Sequence, residues 1–295
     1  AHNYGDIEFI LKEADKNPLN SNQVWQMYVE SPKPILDYQT GSSNIGVWNR
    51  EHIFPQSRGG FSGGTSSTAD GIGVWLPTNA DDILSGHADA HHLRAEDGAE
   101  NSTRSNRDYG SDYNGPIGSQ GSWNGDVSRA LFYMAVRYNG LNLVNGNPSD
   151  AIVGQIGDLA TLLTWNTTDP RDDFEMNRNN YIYTWQMNRN PFIDYPNLAD
   201  YIFGANFGQQ WFSTLSTQNP IENRVVVYPN PASEYLIVSG LEGSSKVEIY
   251  TITGQLVQSQ DFNNEIHINL DLHVGMYLVK VTNGSQSTTK KIIVK

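Results

Sequence analysis

The sequence predicts an α+β protein, with a mainly helical part over residues 1–220 and a small all-β sandwich over residues 221–295. Three observations predict this division. Several segments before residue 215 space their apolar residues as a helix does, whereas the segments after Pro220 alternate like strands. All 7 tryptophans precede residue 212. A length of 295 residues is also sufficient for two domains.

The helical segments occur in three parts of the chain. Residues 7–30 carry apolar residues at three- and four-residue spacing, which predicts helical structure, and residues 31–48 are turn-rich and extended. A helix is predicted from Asp126, with this residue as its N-terminal cap. Residues 158–166 predict another short helix, and residues 174–203 a longer helical stretch broken at an Asn-Pro pair.

Loops separate these segments. Residues 56–73 are rich in Gly and Ser, and residues 98–125 form a second polar stretch, so both are predicted to be loops. The Asp-rich residues 106–125 could bind a structural Ca²⁺, although they lack the full pattern of an EF-hand.

The composition excludes several classes of protein. The chain has no cysteine, so disulfides, cysteine-ligated zinc, iron–sulfur clusters and thiol nucleophiles are excluded. The sequence contains no run of 18 or more apolar residues, which is the length that a membrane-spanning helix needs. Residues 1–220 hold 13 Lys and Arg against 25 Asp and Glu, a net charge of −12, and residues 221–295 hold 6 against 7. This acidity disfavours tight binding of nucleic acid but permits a turnover enzyme.

Two clusters of polar residues carry the chemistry. The first, WNREHIFPQS, places Arg50, Glu51 and His52 between a short apolar run and a Gly-rich loop. A carboxylate supplies a hard oxygen ligand for a divalent cation, and the adjacent imidazole supplies a base whose ordinary pKa is near neutral. The second cluster, DAHHLRAEDGAENSTRSN, begins at Asp89 and concentrates His, Arg, Asn and acidic residues.

Together these clusters resemble the bacterial endonuclease I family, a branch of the ββα-metal nucleases. The matching pattern is N-R-E-H-x-x-P-x-S, followed about 40 residues later by D-x-H-H-L-R-x-x-D-x-x-x-N-x-x-R-S-N. The resemblance implies a nuclease domain built around a ββα-metal motif. It also implies a metal-dependent endonuclease of slight sequence specificity, which hydrolyses phosphodiester bonds of DNA, RNA or both and leaves 5′-phosphate ends.

The resemblance also implies roles for individual residues. His52 matches the general base that activates water, and Glu51 and Asn101 match the ligands of one catalytic ion, Mg²⁺ with Ca²⁺ or Mn²⁺ as alternatives. Arg50 and Arg94 are expected to be catalytic. Further substrate or phosphate contacts are expected from Arg104, Asn106 and His92, and His87 could orient His52.

The C-terminal segment carries a second resemblance. The runs VYPNPA, GMYLVKV and KKIIVK within residues 221–295 resemble the C-terminal sorting domain of the type IX secretion system. This implies recognition by that machinery and a secreted or cell-surface protein. Nothing in the sequence requires an oligomer, so a monomer is expected.

Two other functions stay open at this point. The chain could be a zinc-dependent hydrolase that uses Asp89, His91 and His92. It could instead be a surface binding or adhesion protein whose sandwich is the working part.

Overall fold

The computed structural model describes residues 2–71, 80–212, 225–241, 243–284 and 286–295. The chain divides into two compact units, Ala1–Trp211 and Phe212–Lys295, here called the first and second units. The predicted boundary between residues 220 and 221 lies outside the described residues and stays a prediction.

Short helices surround small two-stranded sheets in the first unit. Its elements in chain order are α1 (Ile7–Ala14), β1 (Gln23–Gln26), β2 (Ser31–Pro34), β3 (Trp48–His52), α2 (Gln56–Gly59), β4 (Leu93–Asp97), α3 (Gly98–Arg104), α4 (Asn124–Arg137), β5 (Asn142–Leu143), β6 (Gln155–Ile156), α5 (Leu159–Thr168), α6 (Asp173–Gln186), α7 (Pro191–Asp194) and α8 (Leu198–Ile202). Three 3₁₀ turns are also present within the described residues, at Tyr4–Asp6, Ile83–Ala88 and Ala90–His92.

Two apolar clusters hold this unit together. The larger one surrounds α4, whose Leu131, Phe132 and Met134 are fully buried. The second packs α1 and α6 against β3 and β4. Burying these side chains removes apolar surface from water and thereby fixes the short strands that carry the polar motifs.

The helical prediction for residues 7–30 is correct only for its first half. Helix α1 ends at Ala14, and the following Pro18 has no N–H with which to continue a helix. The later part contains β1, which pairs antiparallel with β2 and alternates half-buried and buried residues. Its tertiary partner therefore overrides the helix-like spacing.

Two further predictions need correction. Helix α4 begins at Asn124 after Trp123, so Asp126 is not its cap and its carboxylate instead pairs with Arg94 and Arg129. The predicted loop 98–125 contains helix α3 at its start. Helix α5 and the break between α6 and α7 agree with the prediction.

The second unit is a β-sandwich. Its strands are β7 (Val226–Tyr228), β8 (Tyr235–Ser239), β9 (Ser244–Thr251), β10 (Leu256–Asn263), β11 (Ile266–Asn269), β12 (Gly275–Asn283) and β13 (Gln286–Val294). One sheet has the order β10-β9-β12-β13 and the other β11-β8-β7, with all neighbours antiparallel. Alternate residues of both sheets, including Val238, Val279 and Ile292, form one buried core. The predicted sandwich is confirmed.

Among the described residues, no helix is both long and apolar enough to cross a membrane.

Candidate active site

Two strands and a helix bring the two polar motifs together. Strand β3 pairs antiparallel with β4, which places Glu51 opposite Arg94. Helix α3 follows β4 directly because the Asp97 carboxylate accepts hydrogen bonds from the backbone N–H groups of Ala99 and Glu100. The chain therefore contains the ββα unit that the resemblance implies.

The side chains of β3 alternate between its two faces. Asn49 and Glu51 consequently share one face, and Arg50 and His52 share the other. Helix α3 packs beside the first face, where Nδ2 of Asn101 donates to Oδ1 of Asn49 at 2.8 Å and lies 3.4 Å from the carbonyl oxygen of Arg50. Glu51 and Asn101 thus lie on the same side of β3, and the His52 ring has a different set of neighbours.

The imidazole of His52 is held in one tautomer. Its Nε2 lies 2.9 Å from the carbonyl oxygen of His87, and a carbonyl only accepts, so Nε2 carries the proton. Nδ1 therefore has the lone pair, which accepts from Nε2 of Gln56 at 3.1 Å. Burial and the nearby imidazole of His92 hold the pKa of His52 well below its ordinary value. The ring is consequently a neutral base at neutral pH.

The carboxylate of Glu51 is buried among tyrosines and one arginine. The Tyr28 hydroxyl donates to its Oε1 at 2.8 Å and lies 2.6 Å from the Tyr109 hydroxyl. Nη1 of Arg104 lies 3.4 Å from the same oxygen. Burial raises the pKa of Glu51 to about 7, although Arg104 and Tyr28 act in the opposite direction. The contacts with Arg104 and Tyr28 therefore do not fully offset the free-energy cost of burying the ionised carboxylate.

Arg50 lies near His52 and is half-buried. Its Nη1 donates to the Tyr4 carbonyl oxygen at 2.5 Å, and its guanidinium carbon lies 3.7 Å from the centre of the Tyr4 ring. It has no carboxylate partner among the described residues. Its positive charge is therefore available to a phosphate group.

Arg94 and Arg104 differ from Arg50 because both are almost completely buried. Arg94 contacts Asp126 at 2.7 Å and Asp15 at 3.3 Å. Arg104 donates to the Ile53 carbonyl oxygen at 2.8 Å and contacts the carboxylate of Glu51. These contacts favour roles in holding the strands, and direct contact of either arginine with phosphate stays a prediction.

The two other predicted substrate contacts have different surroundings: the His92 ring centre lies 5.3 Å from that of His52, and Asn106 follows helix α3. His92 is fully buried, and its Nε2 donates to the Gly86 carbonyl oxygen at 2.7 Å. Asn106 is half-buried, and its carbonyl oxygen accepts from Nη1 of Arg58 at 2.8 Å. No described residue hydrogen-bonds to the Asn106 side chain. Substrate contact at both residues stays a prediction.

The geometry around Asp89 gives no support to the zinc alternative. Its Oδ1 accepts from the backbone of His91 and from Gln186, and its Oδ2 accepts from two buried tyrosine hydroxyls. The Nε2 atoms of His91 and His92 donate to carbonyl oxygens of two different segments. Within the described ranges, including the Asp-rich loop, no three His, Asp or Glu side chains form a group that could hold a metal ion.

These buried histidines should make the first unit sensitive to acid. Burial lowers the pKa of His91 and of His92 to about 4, so the unfolded chain binds protons first as the pH falls below 6.5. We expect the free energy of unfolding to fall by about 3 kcal/mol per histidine between pH 6.5 and pH 4. Urea unfolding followed by tryptophan fluorescence measures this, since every tryptophan lies in the first unit.

The variant His91→Gln should make this pH dependence less steep by roughly one histidine's share. The exposed His273 of the second unit provides the control, because His273→Gln should leave the pH dependence unchanged. Equal pH dependence for wild type and His91→Gln would contradict the expectation.

Several residues of the site were not predicted from the sequence. Gln56 lies within the first motif, four residues after His52, so the i, i+4 spacing was a signal for its contact. His87 does orient His52, but through its backbone carbonyl. Tyr4 and Tyr28 give no signal in the sequence, because they reach the motifs only through tertiary packing.

Comparison with known proteins identifies the family of the first unit. The sequence matches the family described as Endonuclease I over residues 1–122 and 117–197. An extracellular ribonuclease of Bacillus amyloliquefaciens is 39% identical over 221 residues, which cover 68% of this chain and 68% of that protein. An extracellular ribonuclease of Bacillus subtilis (strain 168) is 38% identical over 221 residues, with the same coverage of both chains.

The second unit has its own matches. Residues 226–295 match the family described as Secretion system C-terminal sorting domain. A solved structure of PorZ, a surface component of the type-IX secretion system of Porphyromonas gingivalis, is 22% identical over 28% of this chain and 12% of that chain, with a TM-score of 0.25. This structural likeness is too low to support an argument.

The sorting domain and the extracellular relatives show that the protein is secreted or held at the cell surface. The β3–β4–α3 unit, the family match over most of the first unit and the identity to the relatives agree with one another. The chain therefore belongs to the endonuclease I family of nucleases and carries a type IX secretion sorting domain at its C-terminus.

Proposed function

We propose that the first unit is a metal-dependent endonuclease that hydrolyses phosphodiester bonds of RNA and DNA and leaves 5′-phosphate ends. One observation carries this proposal. His52 is a neutral imidazole with its lone pair on Nδ1, and the preceding residue of β3, Glu51, is a buried carboxylate beside helix α3. Hydrolysis of a phosphodiester needs a positioned base and an oxygen ligand for the metal ion, and these two residues provide both.

The donor set fits one divalent cation. Glu51 supplies a carboxylate oxygen and Asn101 an amide oxygen, both of which suit Mg²⁺, Ca²⁺ or Mn²⁺. Because Nδ2 of Asn101 donates to Asn49, the Oδ1 atom is on the other side of the amide, and no described residue donates to it. A cation would also compensate the charge of buried Glu51. When bound, the ion would polarise the phosphate and stabilise the leaving oxygen.

Side chains of the first unit transfer the proton, attract the phosphate and hold Glu51 in place. Nδ1 of His52 takes a proton from the attacking water, and the bond from Nε2 to the His87 carbonyl stabilises the resulting imidazolium. The amide of Gln56 occupies Nδ1 in this structure, so it gives up this contact when water binds. Arg50 attracts the phosphate. Tyr28 and Arg104 hold the carboxylate of Glu51 in place.

The substrate class follows from the relatives and from charge. Both curated relatives are named as ribonucleases, which supports RNA as one substrate. Five of the ten arginines of residues 1–220 are at most 3% exposed, so little positive surface is available to read a long duplex. Recognition is therefore restricted to backbone contacts near the cut, and cleavage should show little sequence preference.

The metal requirement provides the test of this function. We expect EDTA to abolish degradation of both RNA and plasmid DNA, and Mg²⁺ or Mn²⁺ to restore it. Replacing Asn101 with Ala removes one ligand, so the Mg²⁺ concentration that gives half-maximal activity should rise at least about tenfold. Asn101→Asp keeps an oxygen ligand and should be affected less.

The exposed Asn22 offers a matched control, since Asn22→Ala should leave the Mg²⁺ requirement unchanged. Full activity of the EDTA-treated protein, or an unchanged Mg²⁺ requirement in Asn101→Ala, would refute the proposed ion site.

A further inference from the structure

The side chain of His87 has one nitrogen without a partner, separate from the carbonyl that orients His52. The residue is almost completely buried, with 3% of it exposed. Its Nδ1 accepts from the backbone N–H of Thr65 at 3.2 Å. The proton of the neutral ring therefore lies on Nε2. No described residue accepts a hydrogen bond from this Nε2–H, so the donor is available to a ligand.

This donor lies in a stack of rings that also contains Arg50. The Tyr4 ring stacks on His87 with 4.2 Å between ring centres, and the Arg50 guanidinium carbon lies 3.7 Å from the centre of the same tyrosine ring. The rings of His52 and His87 are parallel, with an angle of 4° and 5.6 Å between centres. An N–H donor without an acceptor and a guanidinium without a carboxylate partner, among the described residues, thus both lie beside the general base.

We propose that Nε2–H of His87 and the guanidinium of Arg50 bind a phosphate group of the nucleic-acid substrate next to His52. This inference rests on the proposed function and adds a substrate-binding residue to it. Phosphate oxygens accept hydrogen bonds and carry negative charge, so they satisfy both groups at once. No carboxylate among the described residues pairs with Arg50 and competes with the phosphate.

The N-terminal segment holds this subsite in place. The backbone N–H of Tyr4 donates to Oγ1 of Thr65 at 2.9 Å, and that of Gly5 donates to the Ser66 carbonyl oxygen at 3.0 Å. A Cβ on Gly5 would lie 2.2 Å from the backbone nitrogen of Ala69, so only glycine fits there. The same contacts hold Tyr4 in place. Its ring stacks on His87, and its carbonyl oxygen accepts a hydrogen bond from Arg50.

The test measures binding separately from cleavage. His87→Phe keeps a stacked ring and the backbone carbonyl but removes the Nε2–H donor. In a His52→Ala background with EDTA, we expect this change to weaken binding of a fluorescein-labelled 12-nucleotide single-stranded DNA about tenfold, measured by fluorescence anisotropy. His87→Gln, which retains an N–H donor, should recover part of the affinity. His267→Phe, at an exposed site of the second unit, is the matched control.

Kinetics with His52 intact provide the second readout. His87→Phe should raise KM for RNA about tenfold and change kcat by less than about threefold, since the lost contact is made in substrate and transition state alike. If His87→Phe proves unstable, Arg50→Gln should weaken binding of the same oligonucleotide by a similar factor.

The outcomes separate this inference from the proposed function. Cleavage of RNA with unchanged affinity and KM in both His87→Phe and Arg50→Gln would overturn the phosphate subsite and leave the nuclease function standing. Weakened binding by both variants in a protein that cleaves no nucleic acid would support the subsite and refute the function.

Discussion

Replacing His52 with Ala is expected to lower kcat on RNA and DNA by about 10²- to 10⁴-fold. The variant removes the Nδ1 lone pair that takes the proton of the attacking water. It leaves Glu51 and Asn101 unchanged, so the Mg²⁺ dependence of the residual activity should persist. Initial rates of cleavage at saturating Mg²⁺ measure the effect.

The control is the same substitution at a histidine outside the site. His267 is exposed and belongs to the second unit, so His267→Ala should cleave at the wild-type rate. A His52→Ala protein that folds, as judged by its tryptophan fluorescence, and retains activity within about threefold of wild type would exclude His52 as the base.

The largest effect on stability is expected at Arg58. This arginine is fully buried, and its guanidinium contacts the buried carboxylate of Asp108 at 2.9 Å and the exposed carboxylate of Asp150 at 3.1 Å. It also donates to the carbonyl oxygens of Asn106 and Gln155. Arg58→Ala would leave the Asp108 charge buried without its partner, so the free energy of unfolding should fall by about 3–5 kcal/mol.

Urea unfolding at neutral pH, followed by tryptophan fluorescence, tests this expectation. Arg171→Ala, at an exposed arginine, should cost less than about 1 kcal/mol. A double variant in which Arg58 and Asp108 are both replaced by Leu should lose less than the sum of the two single variants, because neither charge is then left unpaired. A loss below about 1 kcal/mol in Arg58→Ala would show that the ion pair is not what stabilises these loops.

The burial of the arginines explains how an acidic chain can belong to a nuclease family. Arg58, Arg94, Arg104 and Arg129 have carboxylate partners inside the first unit, where they hold strands and loops together. Arg50 differs because the Tyr4 ring and carbonyl oxygen, rather than a carboxylate, hold it. A net charge of −13 therefore does not prevent phosphate binding, because the attraction is local to Arg50. Binding is expected to be weak away from the cut.

Some features of this protein follow from the sequence by itself. The alternation of the last 70 residues predicts the sandwich, and the spacing of the two polar motifs, with their resemblance to the endonuclease I family, predicts the β3–β4–α3 unit. The alternation is a local signal, because a strand depends on neighbours within a few positions, which a short window of sequence contains. The β3–β4–α3 unit follows from the resemblance instead, since the residues of α3 by themselves predict a loop.

Other features were decided only by tertiary structure. β1 lies in a segment whose spacing predicts a helix, and its pairing with β2 overrides that preference. The sequence does not distinguish Arg50 from Arg94 and Arg104, yet burial separates them. The tautomer of His52 depends on a carbonyl 35 residues away. Hydrogen bonds and burial are set by groups distant in the chain, and no local pattern encodes which of those groups will meet.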